Sequence, residues 1–431
     1  MPTLQDRDTR RPDAAPSRVS PEYLAEDPYV QLLKSHLQDR DLFKGDPRRT
    51  RKRHQELVRP YLDFFLRHDH EGFYRDLFSR SGLLNRHRTA VRDRVSPEDL
   101  YALRVTSDEL RGHGQRRRLT DLAVQDRDSE EPTGKVFAST GTTEHPDGPV
   151  RIYRGPVTLD LARRVNGGLI DWALGSKLVE GSAMLYMPEQ MAEYNWFAHL
   201  GRAILSAKDV GVRFGANLKG RPSTSTVWHK LKPDVGAIRD FVTDEARPKY
   251  LIGTTPSLHD LLVDNTVAQR ALMGFIAGVP PIHLGRRGVV VLGGGTKDPE
   301  DPQGTSRELV REIAQYVTTD TGKGRVPAPV IDILGLTESA SIFVGRTTSP
   351  LSPRAWIHYP HPLTYMQYLE GPGEPRPVAV SRKDQGDRER RLFYVNFACL
   401  DYLEAVISGD VVGPVYRDQM HQHGFVFRHR R

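Results

Sequence analysis

The chain has 431 residues, 38% of them hydrophobic and 27% charged, a composition that buries a substantial core and excludes a wholly disordered polymer. Its 62 Lys and Arg against 55 Asp and Glu leave a net charge of +7, and a lone cysteine, Cys399, excludes an internal disulfide and a cysteine-based zinc cluster. No run approaches the roughly 18 apolar residues of a membrane span, and the charged N-terminus has no apolar secretion segment, so a cytoplasmic location without membrane partners is expected.

Residues 1–19 carry too few apolar side chains to offset the entropy of ordering and read as a disordered tail. Residues 20–133 read as a mainly helical region. Ser20-Pro21-Glu22 is a helix start, with an N-cap and a proline in the first turn, and Tyr29, Leu32, Leu33 and Leu37 follow at helical spacing. A second amphipathic stretch, LVRPYLDFFLRHDHEGFYRDLFSRSGLL, turns near Gly72, and Ser96-Pro97-Glu98-Asp99 repeats the start signal before Leu100 and Leu103. The basic runs Arg48-Arg49-Thr50-Arg51-Lys52-Arg53 and Arg116-Arg117-Arg118 have acids nearby and no interleaved aromatic residues. They read as solvated helix faces, not as a nucleic-acid surface.

From residue 134 to 427 the texture is that of an α/β core. VRIYRG, AMLYMP, KYLIGTTP, GVVVLGGG, PVIDILGL, LFYVNFA and EAVISGDVV are short, β-branched or aromatic, and closed by turn residues. Helices are expected between them, over 158–175, 190–207, 256–277 and 304–318. Such alternation places a ligand site where loops leave the strand ends.

Four of those loops carry groups suited to a nucleotide. Ser139, Thr140, Gly141, Thr142 and Thr143 put hydroxyls and backbone N–H groups around a glycine, as an anion nest requires, although a plain turn has the same composition. Gly293-Gly294-Gly295-Thr296-Lys297 lets a ligand approach the backbone and ends in a cation; a glycine hairpin is the alternative. Gly335-Leu336-Thr337-Glu338-Ser339 offers a hydroxyl beside a carboxylate for a phosphate and its Mg²⁺, or else a helix N-cap. Ser408-Gly409-Asp410 supplies a carboxylate for a ribose diol, or else an Asp in a β-turn.

In this order the loops resemble the adenylate-forming superfamily, whose members condense a carboxylic acid with ATP to an acyl-AMP and pyrophosphate. The likeness is strongest to the acyl-protein synthetases of bacterial luminescence (LuxE-type), with the phenylacetate–CoA ligases as neighbours. It runs from Lys135 to Phe427 through FASTGTTEHPDGPVRIYR, TPSLHDLL, VVVLGGGTK, DILGLTES, WIHYPHPL and LFYVNFACLDYLEAVISGDVVG. It implies the large N-terminal domain of that fold, with layered sheets and helices, behind the helical region. Leu334 stands where the family has a tyrosine near the adenine, and Glu144 where it commonly has a second glycine. The chain ends 21 residues after Asp410, which implies a C-terminal lid that is short or absent, residues 428–431 forming the C-terminal end.

The resemblance further implies roles for individual residues. Thr140, Thr142 and Thr143 would hold the pyrophosphate, Thr337 the α-phosphate, Glu338 the Mg²⁺ and Asp410 the ribose. Lys297 would meet the acyl carboxylate or a phosphate, with Gly294 and His358 lining the acyl pocket. The acyl group would pass to a carrier-protein thiol, to coenzyme A or to an amine. Cys399 is a further candidate acceptor, although its apolar setting suits a buried small hydrophobe. His68-Asp69-His70-Glu71 and His421-Gln422-His423 lack a partner pair at metal spacing, so no metal besides Mg²⁺ is expected. The competing expectation is a degenerate nucleotide-binding or scaffolding subunit that docks a partner through its helical region.

Overall fold

The computed structural model describes residues 26–43, 46–111, 114–138, 150–218, 231–259, 261–262, 282–293, 304–335, 337–346, 356–371, 375–379, 389–416 and 423–430. The N-terminal tail and the Ser20-Pro21-Glu22 helix start lie outside them.

Helix α1 (Pro28–Gln38) begins on Asp27, whose side chain accepts the Tyr29 N–H at 2.7 Å. Helix α2 (Pro47–Arg67) starts likewise on Asp46, and its helical period lines up Leu57, Val58, Tyr61, Leu62, Phe64 and Phe65 on one buried face. Within the basic run, Arg49 and Lys52 pair with Asp41 and Glu56 in solvent, while Arg53 is buried against Asp39. Gly72, at φ 76°, makes the turn into α3 (Phe73–Arg80), where a side chain would be strained. Ser96 and Asp99 form a capping box on a short 3-10 helix, Pro97–Leu103. Helix α4 (Asp121–Arg127) completes this region on a Thr120 cap.

The strands follow as β1 (Val105–Thr106), β2 (Lys135–Ala138), β3 (Arg151–Arg154), β4 (Gly181–Leu185), β5 (Val210–Phe214), β6 (Ala216–Leu218) and β7 (Leu231–Pro233). Next come β8 (Lys249–Thr254), β9 (Ile282–Arg286), β10 (Val289–Gly293), β11 (Val317–Thr321), β12 (Gly324–Pro327), β13 (Val330–Gly335) and β14 (Ile342–Arg346). The last are β15 (Ile357–Pro360), β16 (Thr364–Glu370), β17 (Arg376–Val378), β18 (Arg390–Asn396), β19 (Ala405–Tyr416) and β20 (His423–Arg430). Among them lie helices α5 (Pro156–Leu174), α6 (Trp196–Ser206), α7 (Val235–Thr243), α8 (Thr255–His259) and α9 (Gly304–Tyr316).

The result is a mixed α/β fold on one large sheet, in the order β17-β16-β18-β19-β20-β15-β14-β13-β10-β8-β4-β5, with β1 added alongside β19. From β5 to β13 the strands are parallel; from β13 to β17 neighbours are antiparallel. The parallel strands are apolar on both faces because helices cover both. In β10, Val289 and Val291 face the core with α5 and α6, and Val290 and Leu292 the core with α9.

All seven apolar runs singled out in the sequence contain strands. The helix expected to run on to residue 318 stops at Tyr316, where Val317, Thr318 and Thr319 favour the extended backbone of β11. The helix expected from residue 190 instead starts at Trp196, because the Asn195 side chain caps it by accepting the Ala198 N–H. Of the expected helix 256–277, the described residues are helical, as α8 and a π-helical turn at Leu261 and Leu262. The helical region and the core also share one interior: Leu57, Tyr61 and Phe65 pack in the same cluster as Phe393, Val395 and Phe397. Tyr29 and Tyr61 donate their hydroxyls to the Phe397 and Asn396 carbonyls at 2.6 and 3.2 Å.

His68, at the end of α2, sits between Asp27 and Asp121, each 3.4 Å away, and so ties α1, α2 and α4 together. Burial works against the imidazolium, yet the hydrogen bonds to Asp121 and Asp27 outweigh it and raise the pKa of His68. A histidine whose folded pKa is raised adds stability fully present below its unfolded value, about 6.5, and lost as pH rises through the folded value. The thermal midpoint of the wild type should therefore exceed that of His68→Gln by most near pH 6 and by less near pH 8.5; a pH-independent gap would contradict the pairing.

Candidate functional site

The site is best built from Arg154, the last residue of β3, which is fully buried. Its guanidinium lies 3.4 Å from Glu404 Oε2, donates to Cys399 Sγ at 3.1 Å and to the Thr337 carbonyl at 3.4 Å, and lies over the Tyr402 ring. Glu404 is equally buried. Its Oε1 accepts the Ser339 hydroxyl at 2.6 Å and its Oε2 the Ala340 N–H at 3.0 Å. Burial pushes the Glu404 pKa up, and Arg154, Ser339 and Ala340 offset part of that rise. One ion pair thus fixes the connection between β13 and β14, the segment of the Gly335-Leu336-Thr337-Glu338-Ser339 loop. Asn166 of α5 clamps its far end, donating to the Ala340 carbonyl and accepting the Ile342 N–H.

That connection is neither a helix N-cap nor a helix start. Gly335 closes β13 opposite Ile342, the first residue of β14, so the loop is a short link between antiparallel strands; Leu336 lies outside the described residues. Thr337 is half-buried, and Glu338 is buried with Oε1 accepting the Ser107 hydroxyl. Tyr402 donates its hydroxyl to the Glu338 carbonyl.

Asp410 departs from expectation in another way. Ser408-Gly409-Asp410 is not a turn but the middle of β19, a 12-residue strand in which Asp410 pairs with Arg430. β20 pairs with β19 from Asp410 onward, and the register with β18 shifts opposite Ser408–Asp410, so these three residues form an irregularity within the strand and not a turn that ends it. Asp410 is buried, and its Oδ2 accepts the Ser408 hydroxyl at 2.9 Å.

Tyr394 of β18 feels the charge of both carboxylates. It is fully buried, and its hydroxyl has no hydrogen-bond partner among the described residues. Burial raises its pKa far above the usual phenol value, and the charges of Glu338, Glu404 and Asp410 raise it further. Glu338 and Asp410, 72 positions apart, therefore act on one phenol.

The remaining sequence candidates fall as follows. Ser139, Thr140, Gly141, Thr142, Thr143, Gly294, Gly295 and Lys297 lie outside the described residues. Gly293 ends β10, where a Cβ would come within 2.4 Å of the Phe197 ring, so glycine there serves close packing against α6. His358 of β15 is buried, and its Nε2 meets Asp332 Oδ2 at 2.8 Å across the intervening β14. The residue between them in register is Gly345, where a Cβ would stand 2.9 Å from His358 Nε2. His358 stacks on Phe425 and lines neither of the two cavities described below; its contact with Asp332 is a cross-strand hydrogen bond. The Cys399 thiol is fully buried, and burial pushes its pKa well up, which keeps it protonated and out of reach. Among the described residues no group of three or more His, Cys, Asp or Glu is placed to hold a metal ion, and no helix is long and apolar enough to cross a membrane.

Arg154, Glu404, Tyr394, Tyr402 and Ser107 were not singled out in the sequence. A signal existed for the first two: a charge inside a strand-like apolar run, VRIYRG or CLDYLEAVI, has to find a buried partner.

A narrow apolar cavity of about 40 Å³ lies between α5, α6 and the parallel strands, lined by Ile170, Phe197, Leu200, Val291 and Ile333 among others. A larger cleft of about 640 Å³ lies elsewhere, between the start of α2 and the sheet edge formed by β17 and its neighbour β16. Neither is lined by Glu338 or Asp410.

No family in the comparison matches the chain, and neither does any curated protein. Among solved structures it is similar to VinN, at 13% identity and a TM-score of 0.41 over 68% of this chain and 59% of that one. It is also similar to the AtGH3.15 acyl acid amido synthetase in complex with 2,4-DB, at 13% identity and a TM-score of 0.47 over 93% and 70% of the two chains. A third is the N-terminal domain of FACL13 from Mycobacterium tuberculosis, at 13% identity and a TM-score of 0.37 over 71% and 65%. The chain thus spans less than two thirds of the length of VinN. Likenesses this distant assign neither family nor activity.

Removing one partner of a buried ion pair strands the other charge. Arg154→Met should cost about 3–5 kcal/mol in urea unfolding. Arg154→Met with Glu404→Leu should cost less than the sum of the two single changes; strict additivity would show that the charges do not interact.

Proposed function

We propose that the chain activates a carboxylic acid with ATP, forming an acyl-adenylate and pyrophosphate. What supports this reading is that Glu338 and Asp410, from two separate adenylate-forming-like motifs, both act electrostatically on the buried Tyr394 phenol, whose hydroxyl has no partner among the described residues. A buried phenol without an acceptor is costly by about 1–3 kcal/mol, so a ligand oxygen is the natural partner for it.

The residues suit a nucleotide with Mg²⁺. Glu338 spends Oε1 on Ser107, and its Oε2 is the oxygen that would meet the ion. One carboxylate together with phosphate oxygens is a usual way to hold Mg²⁺, so a larger cluster of acids is not required. Bound there, the ion would neutralise charge as the substrate carboxylate oxygen bonds to the α-phosphorus and pyrophosphate leaves. The protein's own part is placement: Arg154 and Glu404 hold the Thr337–Ser339 link, Asp410 offers a carboxylate to the ribose hydroxyls, and Tyr394 donates one hydrogen bond. Lys297 and the hydroxyls of Thr140, Thr142 and Thr143 keep the roles their motifs imply. The acyl group would pass to an external thiol or amine, because Cys399 is sealed in the core.

A second reading, a nucleotide-site relic in a scaffolding subunit, draws on the existing engagements of Glu338 with Ser107 and Asp410 with Ser408, and on the distance of both from the two cavities. Acid-dependent exchange of pyrophosphate into ATP separates the two. Under the first reading, a panel of acids yields exchange, Glu338→Gln and Asp410→Asn each lower it about 10²-fold, and Cys399→Ser leaves it unchanged. Absence of exchange, with no ATP·Mg²⁺ binding by calorimetry, would establish the second.

A further inference from the structure

The largest described cavity is not at the candidate nucleotide site. At about 640 Å³ it falls within the range of roughly 300–1,000 Å³ typical of small-molecule pockets. It is a seam between two parts of the fold, walled by the first turn of α2 on one side and by β16, β17 and the His361–Pro362 turn on the other.

Its chemistry is two-sided. The first turns of α2 contribute Arg48 and Arg51, both exposed; Glu98 partly offsets Arg51 at 3.9 Å and leaves the mouth net positive. These arginines stand at the N-terminus of a 21-residue helix, where the aligned backbone also favours an anion. The opposite wall is largely apolar, with Tyr365 and Met366.

Two buried polar atoms of lining residues have no partner among the described residues. His361 is fully buried, and its Nδ1 accepts the Leu363 N–H at 3.0 Å, so the ring proton sits on Nε2, which has no acceptor. Gln367 Oε1 has no donor. Burial keeps His361 neutral, so it supplies a hydrogen bond without a charge. Apolar packing alone would not bring an unsatisfied donor and an unsatisfied acceptor to one cleft.

We propose that this cleft is a separate binding site for a small organic anion with an aromatic or acyl body, its charged end on Arg48 and Arg51 and its body against Tyr365 and Met366. The site is independent of the adenylation reading and needs no nucleotide.

Anilinonaphthalene sulfonate, a planar anion that fluoresces on leaving water, is the probe. The full-length wild type should bind it at one saturable site per chain. Arg48→Glu with Arg51→Glu should weaken binding at least tenfold, and Met366→Trp, which fills the cleft, should abolish it. Arg163→Glu with Arg164→Glu, on the exposed face of α5, should have no effect. Should Met366→Trp fail to fold, Thr50→Trp blocks the same cleft from the helix side. Salicylate and decanoate should displace the probe, and ATP·Mg²⁺ should not. Several weak sites insensitive to the Arg48/Arg51 and blocking changes would overturn the proposal, as would displacement by ATP·Mg²⁺. Because the titration involves no acid activation, loss of the exchange reaction and loss of probe binding are separate results.

Discussion

The ion pair between Arg154 and Glu404 is the point on which the candidate site depends. Each residue is wholly withdrawn from water, and neither charge is tolerable there alone. Arg154 ends the strand that follows the serine-threonine loop, and Glu404 stands just before β19, the strand of Asp410. Between them they grip the Thr337 carbonyl, the Ser339 hydroxyl and the Ala340 N–H. Three segments far apart in sequence therefore take their relative positions from one guanidinium and one carboxylate. Burial makes this expensive, because each charge has given up its water.

Support for the pair comes from outside the sheet. The Leu403 N–H donates to the Tyr74 hydroxyl at 2.9 Å and the Glu404 N–H to the Tyr61 hydroxyl at 3.2 Å. Both tyrosines belong to the helical region, so α2 and α3 hold the backbone that presents Glu404. A boundary near residue 133 marks a change of sequence texture and not a gap in packing.

The sequence was most legible where one physical pattern acted alone. Continuous apolar runs such as GVVVL became fully buried parallel strands, and the Pro-led, capped start at Pro97 became the start of a short 3-10 helix. It was less legible where tertiary pairing overrode local chemistry. Ser408-Gly409-Asp410 has turn composition, yet it is taken up inside β19, where the register with β18 shifts across it. His358 lay in a segment matched to an acyl pocket, but its position opposite Asp332 depends on register across three strands and on Gly345 leaving room between them. No spacing in a linear string encodes that register. The partner of Glu338 was likewise invisible, because Ser107 comes from a segment with no motif of its own.

The bracing by Tyr61 and Tyr74 makes the helical surface mechanically continuous with the interior. Loss of either phenol would leave a buried backbone N–H, of Leu403 or of Glu404, without its acceptor, so a change on the helical side at these two contacts also unsettles the strand that presents Glu404.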